Sequence, residues 1–105
     1  MKAGLVNGKH YTEYVELVRQ LKRQGKLDGA EALLLRLIAA VEQEAEAENW
    51  VVAPWYYEQL AIIYRKQKDE TRELDILKRF ASQTHGEAHP LLDRLRKIEA
   101  ERRSE

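Results

Sequence analysis

Cysteine is absent from this chain of 105 residues, proline occurs twice, serine only at Ser82 and Ser104, and no long apolar run exists. The missing cysteine excludes disulfides, thiolate metal sites and cysteine nucleophiles, removes any support for a secreted disulfide scaffold, and makes a reducing cytoplasm the expected compartment. The longest purely apolar run covers residues 37–41, far short of the ~20 residues that span a bilayer, so no membrane association is expected. The first eight residues carry one lysine and no apolar stretch of signal-peptide length. Nor is there an excess of one charge. The 18 basic and 18 acidic residues cancel, which removes the global pull of a dedicated nucleic-acid binder and leaves only a local basic stripe for such contact.

Helical periodicity is what the sequence does have. Residues 1–9 show none and read as a frayed terminus or as the remnant of a linker, the linker being favoured. From Tyr11 or Thr12 to about Gln24, Tyr14, Leu17, Val18 and Leu21 make one stripe, and Gly25 ends the helix. A second helix is predicted with Asp28 as its cap and Glu31 completing a capping box. Its apolar arc (Leu27, Ala30, Leu33, Leu34, Leu35, Leu37, Ile38, Val41) is broad enough for a helix flanked on two sides. It continues into Glu42, Glu44, Glu46 and Glu48, four acids at the negative end of the helix dipole, so either a basic neighbour approaches or this end frays.

Pro54 suits the first turn of a third helix reaching about Gln67, with Tyr57, Leu60, Ala61 and Tyr64 on its main stripe and Tyr56 and Ile63 on a second. Asp69 or Thr71 caps a fourth helix that buries Leu74, Ile76 or Leu77, and Phe80. A loop over residues 82–89 leads to a fifth helix opened by Pro90, with Leu91, Leu92, Leu95 and Ile98 on one side. The expected organisation is a lead over 1–9, a helical domain over 10–98 and a charged tail over 99–105 that frays.

One hairpin pattern is written twice, 43 residues apart: Tyr14, Leu17, Gly25, Ala30 and Leu34, then Tyr57, Leu60, Ala61, Tyr64 and Leu77. This resembles the tetratricopeptide repeat, and the fifth helix resembles the capping helix of such arrays. The departures are a spacing longer than the usual ~34 residues, Val18 in place of a small residue, and Glu73 where alanine is expected. The resemblance implies an all-α fold, an α-α hairpin right-handed superhelix of two tetratricopeptide-like hairpins plus a C-terminal capping helix. The chain also looks like repeat modules embedded in larger bacterial or phage proteins.

In that family the first helix of each hairpin lines a groove. The resemblance places Thr12, Val15, Arg19, Lys22 and Arg23, then Trp55, Glu58, Ile62, Arg65 and Lys66, on such a surface. It implies a non-enzymatic module presenting this groove to a peptide segment or to a neighbouring domain, with specificity from Trp55 and Ile62 and the cations steering acidic groups. The same cations close helices one and three, where the dipole alone favours them, so a purely structural role competes with a binding one. Two hairpins are fewer than the three that usually stabilise an array. Faces bearing Tyr56, Ile63 or Leu35 are therefore candidates for cover by a second copy.

Catalytic constellations are missing. His85, Glu87 and His89 lie close together, but Gly86 and Pro90 break the helix that a zinc motif needs. Residues 4–10 miss the phosphate-loop spacing. The two serines have no nucleophile elbow, and the glutamates of residues 42–48 have no apolar pocket in which to act as acid or base. Neither enzyme activity nor a cofactor or metal is expected.

Overall fold

A computed structural model describes residues 3–84 and 88–104. Among them the chain forms a two-stranded hairpin, β1 (Leu5–Val6) and β2 (Lys9–His10), a 3₁₀ turn (Tyr11–Tyr14), and five helices: α1 (Val15–Arg23), α2 (Leu27–Glu48), α3 (Pro54–Lys66), α4 (Glu70–Gln83) and α5 (Pro90–Arg103). None of these helices is long and apolar enough to cross a membrane. The chain divides into two compact units, Met1–Tyr56 and Tyr57–Glu105.

In the first unit, residues expected to be an aperiodic lead are folded. Leu5 pairs with His10 and Val6 with Lys9 in antiparallel register, joined by Asn7-Gly8. Both turn residues take positive φ, 49° and 82°, which the mirror-image two-residue turn requires and which this dipeptide adopts at least cost. The hairpin is tied down from three directions. Tyr14 donates its hydroxyl to the Val6 carbonyl (2.6 Å), Arg36 of α2 donates to Asn7 Oδ1 (2.9 Å), and the Tyr11 amide donates to the Gly4 carbonyl (3.0 Å). Strands of two residues give no alternation to read, which is why periodicity misses them.

The first helix starts as the 3₁₀ turn at Tyr11, where the sequence places it, and α1 stops before Gly25 at φ +71°. Gly25 N–H donates to the Lys22 carbonyl (3.1 Å) and Lys26 N–H to the Leu21 carbonyl (2.9 Å), the paired bonds of a Schellman end. Because Lys26 is already consumed there, α2 begins at Leu27 with Lys26 at its cap and no side-chain cap bond. The expected Asp28–Glu31 capping box is therefore not formed; Asp28 lies one residue inside the first turn. The stripe of α1 is also narrower than expected. Val18 is fully buried, but Leu17 is 42% exposed, since it sits about 100° around the helix from Val18. On α2 the buried set is Ala30, Leu34, Leu37, Ile38, Ala40, Val41 and Ala45, while Leu35 is exposed. The steps of three and four among most of these describe one apolar stripe.

The acid-rich end of α2 stays helical through Glu48, and Asn49 at φ 54° closes it with a second Schellman pair, Asn49 N–H to Glu46 and Trp50 N–H to Ala45. In the second unit, α3 ends the same way: Lys68 sits at φ 57°, its amide donating to Arg65 and that of Asp69 to Tyr64. Asp69, not Thr71, caps α4, its carboxylate accepting from Arg72 N–H at 3.0 Å. The two hairpin turns agree in register at the 43-residue spacing: α1 and α3 end at Arg23 and Lys66, the left-handed residues are Gly25 and Lys68, and α2 and α4 start at Leu27 and Glu70.

The core of the second unit comprises Tyr57, Leu60, Ala61, Ile63 and Tyr64 of α3, Leu74, Ile76, Leu77 and Phe80 of α4, and Leu91, Leu95 and Ile98 of α5. The Tyr57 and Phe80 rings meet at 5.2 Å, and Phe80 also meets His89. Pro90 opens α5 and His89 caps it through Nδ1, which accepts from Leu91 N–H (3.1 Å). In the tail expected to fray, Arg102 is engaged. Its guanidinium bonds Glu70 (3.0 Å) and Thr71 (3.4 Å), and the helix runs on to Arg103.

Candidate functional site

Trp55 stands in the first turn of α3, held there by Pro54 at the helix start. Its indole is half-buried and meets the Tyr56 ring edge-on, with centroids 5.0 Å apart and planes at 85°. The Arg19 guanidinium lies 5.8 Å from the centroid of the same ring, inside the ~6 Å reach of a cation–π contact. Arg19 and Trp55, two of the candidate groove residues, are thus brought together. Tyr56 in turn meets Tyr11 in a T-shaped contact at 5.2 Å, and the Tyr11 hydroxyl donates to Glu44 (2.8 Å). A row of aromatic contacts therefore runs from the Arg19–Trp55 pair to the acidic end of α2.

At that end His10 Nε2 lies 2.6 Å from Glu44 Oε2. Nδ1 of the same ring caps the 3₁₀ turn by accepting from Thr12 N–H, and the Glu13 carboxylate returns the bond to His10 N–H (3.2 Å). Burial pulls the Glu44 carboxyl upward, but the His10 and Tyr11 hydrogen bonds outweigh it and hold the group below the usual carboxylate range. Burial, and then the bond to the same carboxylate, push Tyr11 well above the ordinary phenol value, and burial with Glu44 nearby pushes Tyr56 up to about 12. The neighbour that the acidic end demands is thus an imidazole and a phenol.

The remaining predicted groove positions divide. Arg23 pairs with Glu16 one element-length back on α1 (2.8 Å), and its hydrogen bond holds the Glu16 carboxyl below its ordinary range. Lys22 and Val15 are half-buried, and Thr12 is exposed but engaged by His10. In the second unit Glu58 and Lys66 are exposed and Ile62 is half-buried. Arg65 is engaged within its own unit, bonding the Glu73 carboxylate through Nε (3.1 Å) and Nη2 (3.0 Å).

Glu73 is the functional-looking residue that periodicity alone passes over. It is 2% exposed, and a buried carboxylate must be paired. Arg94 of α5 completes the pairing through Nε and Nη2 at 3.0 and 3.3 Å. The bond to Glu73 strengthens the hold of Arg94 on its proton against partial burial. One carboxylate thereby ties α3, α4 and α5 together. The readable signal was an acid on the stripe of Leu77 and Phe80, at the place Ala30 occupies in the first hairpin.

His85, Gly86 and Glu87 of the suggested metal loop lie outside the described residues, and among the described ones no group of three His, Cys, Asp or Glu side chains converges as a metal site would need. Tyr56 and Ile63, candidate faces for a second copy, are buried within the chain's own units; of that set only Leu35 is exposed. No protein-family profile, no curated protein and no solved structure matches the chain.

Proposed function

We propose that this chain is a non-enzymatic, cytoplasmic protein-interaction module of tetratricopeptide-like hairpins, in which the Arg19–Trp55 pair receives a peptide segment of acidic character from a partner. The observation that carries this reading is the cation poised over a half-exposed indole. Trp and Arg are the side chains over-represented where interfaces concentrate their binding energy. The ring offers an apolar anchor, and the guanidinium offers a fork for a carboxylate. The right-handed superhelix belongs to the same reading, and the agreement of the two hairpin turns at one spacing supports it.

The test is selection of binding peptides from a displayed library, followed by calorimetric titration of the winners into the full chain. Acidic residues should be enriched among them. Trp55→Ala and Arg19→Glu should each weaken binding about tenfold or more, roughly 1.4 kcal/mol, with far-ultraviolet circular dichroism unchanged. Selected peptides whose affinity ignores both substitutions would place recognition elsewhere and overturn the proposal.

A further inference from the structure

Trp50 is 67% exposed and Val51 56% exposed, yet the Trp50 backbone is fixed, its amide bonded to the Ala45 carbonyl at 2.8 Å. In a Schellman end, an apolar residue at this position commonly packs back onto the last turn of the helix. Here the residue beneath is Ala45, whose methyl group can cover little of an indole. A large aromatic is thus presented to water on a rigid stem, and exposed aromatics on rigid backbone are what interfaces bury.

Its surroundings state the sign of the partner. The last turns of α2 carry Glu42, Glu44, Glu46 and Glu48, the final turn has no basic residue, and the negative end of the helix dipole points the same way. Glu44 is engaged by His10 and Tyr11, but Glu46 and Glu48 are exposed. Glu48 and Ala47 also line a cleft together with Leu5 and His10 of the hairpin and Glu13 of the 3₁₀ turn. The cleft therefore mixes apolar lining (Ala3, Leu5, Ala47) with the carboxylates of Glu13, Glu44 and Glu48, and Glu48 precedes Trp50 by two residues in the chain.

We infer that Trp50, Val51 and the acidic end of α2 form a docking surface for a basic, apolar segment of a partner protein, a lysine or arginine entering the Glu48 cleft beside an aliphatic residue packed on Trp50. A cation would gain from the carboxylates, the dipole end and the indole face together. An acidic segment would be repelled. This inference does not rest on the Arg19–Trp55 reading, and variants of Trp55 leave it untouched.

The experiment uses the full chain with Trp55→Phe, so that Trp50 alone emits, titrated with a synthetic Lys/Leu peptide and its Glu/Leu counterpart. The Lys/Leu peptide should shift Trp50 emission saturably and the Glu/Leu peptide should not. In the wild-type chain, measured by calorimetry, Trp50→Ala and the pair Glu46→Lys/Glu48→Lys should each weaken binding about tenfold or more. The charge reversals favour the helix dipole, so loss of binding cannot come from loss of the helix. Binding that ignores Trp50→Ala, or that the charge reversals alone abolish, is unspecific attraction and overturns the proposal. So does sedimentation showing a self-associated chain that Trp50→Ala dissociates, because the occupant would then be a second copy.

Discussion

Glu73 shows how one side chain decides what its neighbours are for. The carboxylate is the buried member of its network, whereas Arg65 is about half exposed and Arg94 less so, at 49% and 29%. Removing the acid leaves guanidiniums that can rotate into water; removing the guanidiniums strands a buried charge. We therefore expect Arg65→Met/Arg94→Met to cost about 3–5 kcal/mol in urea unfolding, and Glu73→Ala to cost clearly less. The reverse order would mean that the arginines cannot reach solvent. Glu44 makes a pH statement of the same kind. Its folded-state carboxyl is depressed, so its contribution is full above the ordinary carboxylate range and is lost as pH falls through its lowered folded value. Tyr11→Phe removes one of the two bonds holding it down. The variant should lose about 1 kcal/mol at neutral pH, and its amide-exchange protection at Val6 and Thr12 should fail at a higher pH than in the wild type.

Among the elements, the three Schellman turns use Gly25, Asn49 and Lys68 for the same left-handed conformation, which only glycine adopts without steric cost. Lys68→Gly should therefore raise stability by about 0.5–1 kcal/mol, read as a shift of the urea midpoint with an unchanged slope. Gly4 makes a sharper demand. It sits at φ +84°, and a Cβ built there falls 2.6 Å from Glu44 Oε2 and 3.2 Å from the His10 ring. Gly4→Ala should cost about 1–2 kcal/mol and expose the hairpin amides to exchange before those of α1 and α2. The helices were legible in the sequence because Leu34, Leu37, Ile38 and Val41, or Leu74, Leu77 and Phe80, recur with the helical period. The hairpin escaped because its strands are too short for a pattern; its one signal was Asn7-Gly8. Of the site, the candidacy of Arg19 and of Trp55 followed from placing both on first helices, while their contact with each other did not. The fate of Arg65 did not, since it depends on which carboxylate the turn at Lys68 returns to it and on Arg94, 21 residues beyond that acid.

At the scale of the whole molecule, α3 belongs to both compact units: Pro54, Trp55 and Tyr56 to the first, and the residues from Tyr57 onward to the second. Because α3 crosses the division unbroken, we expect it to couple their unfolding, since a helix that melts in one half exposes the start of the other. Both tryptophans, Trp50 and Trp55, lie in the first unit, so indole emission reports that unit alone while far-ultraviolet circular dichroism reports the helices of both. In the wild-type chain the two probes should melt with one midpoint, the signature of a single cooperative transition. Glu58 is exposed and sits just past the division, where proline would remove the bond to the Pro54 carbonyl and clash with that turn at a cost of about 3 kcal/mol. Glu58→Pro should therefore separate the two midpoints, whereas Glu58→Ala should leave them coincident. Separate midpoints in the wild type would show that the two units unfold independently and that α3 couples nothing.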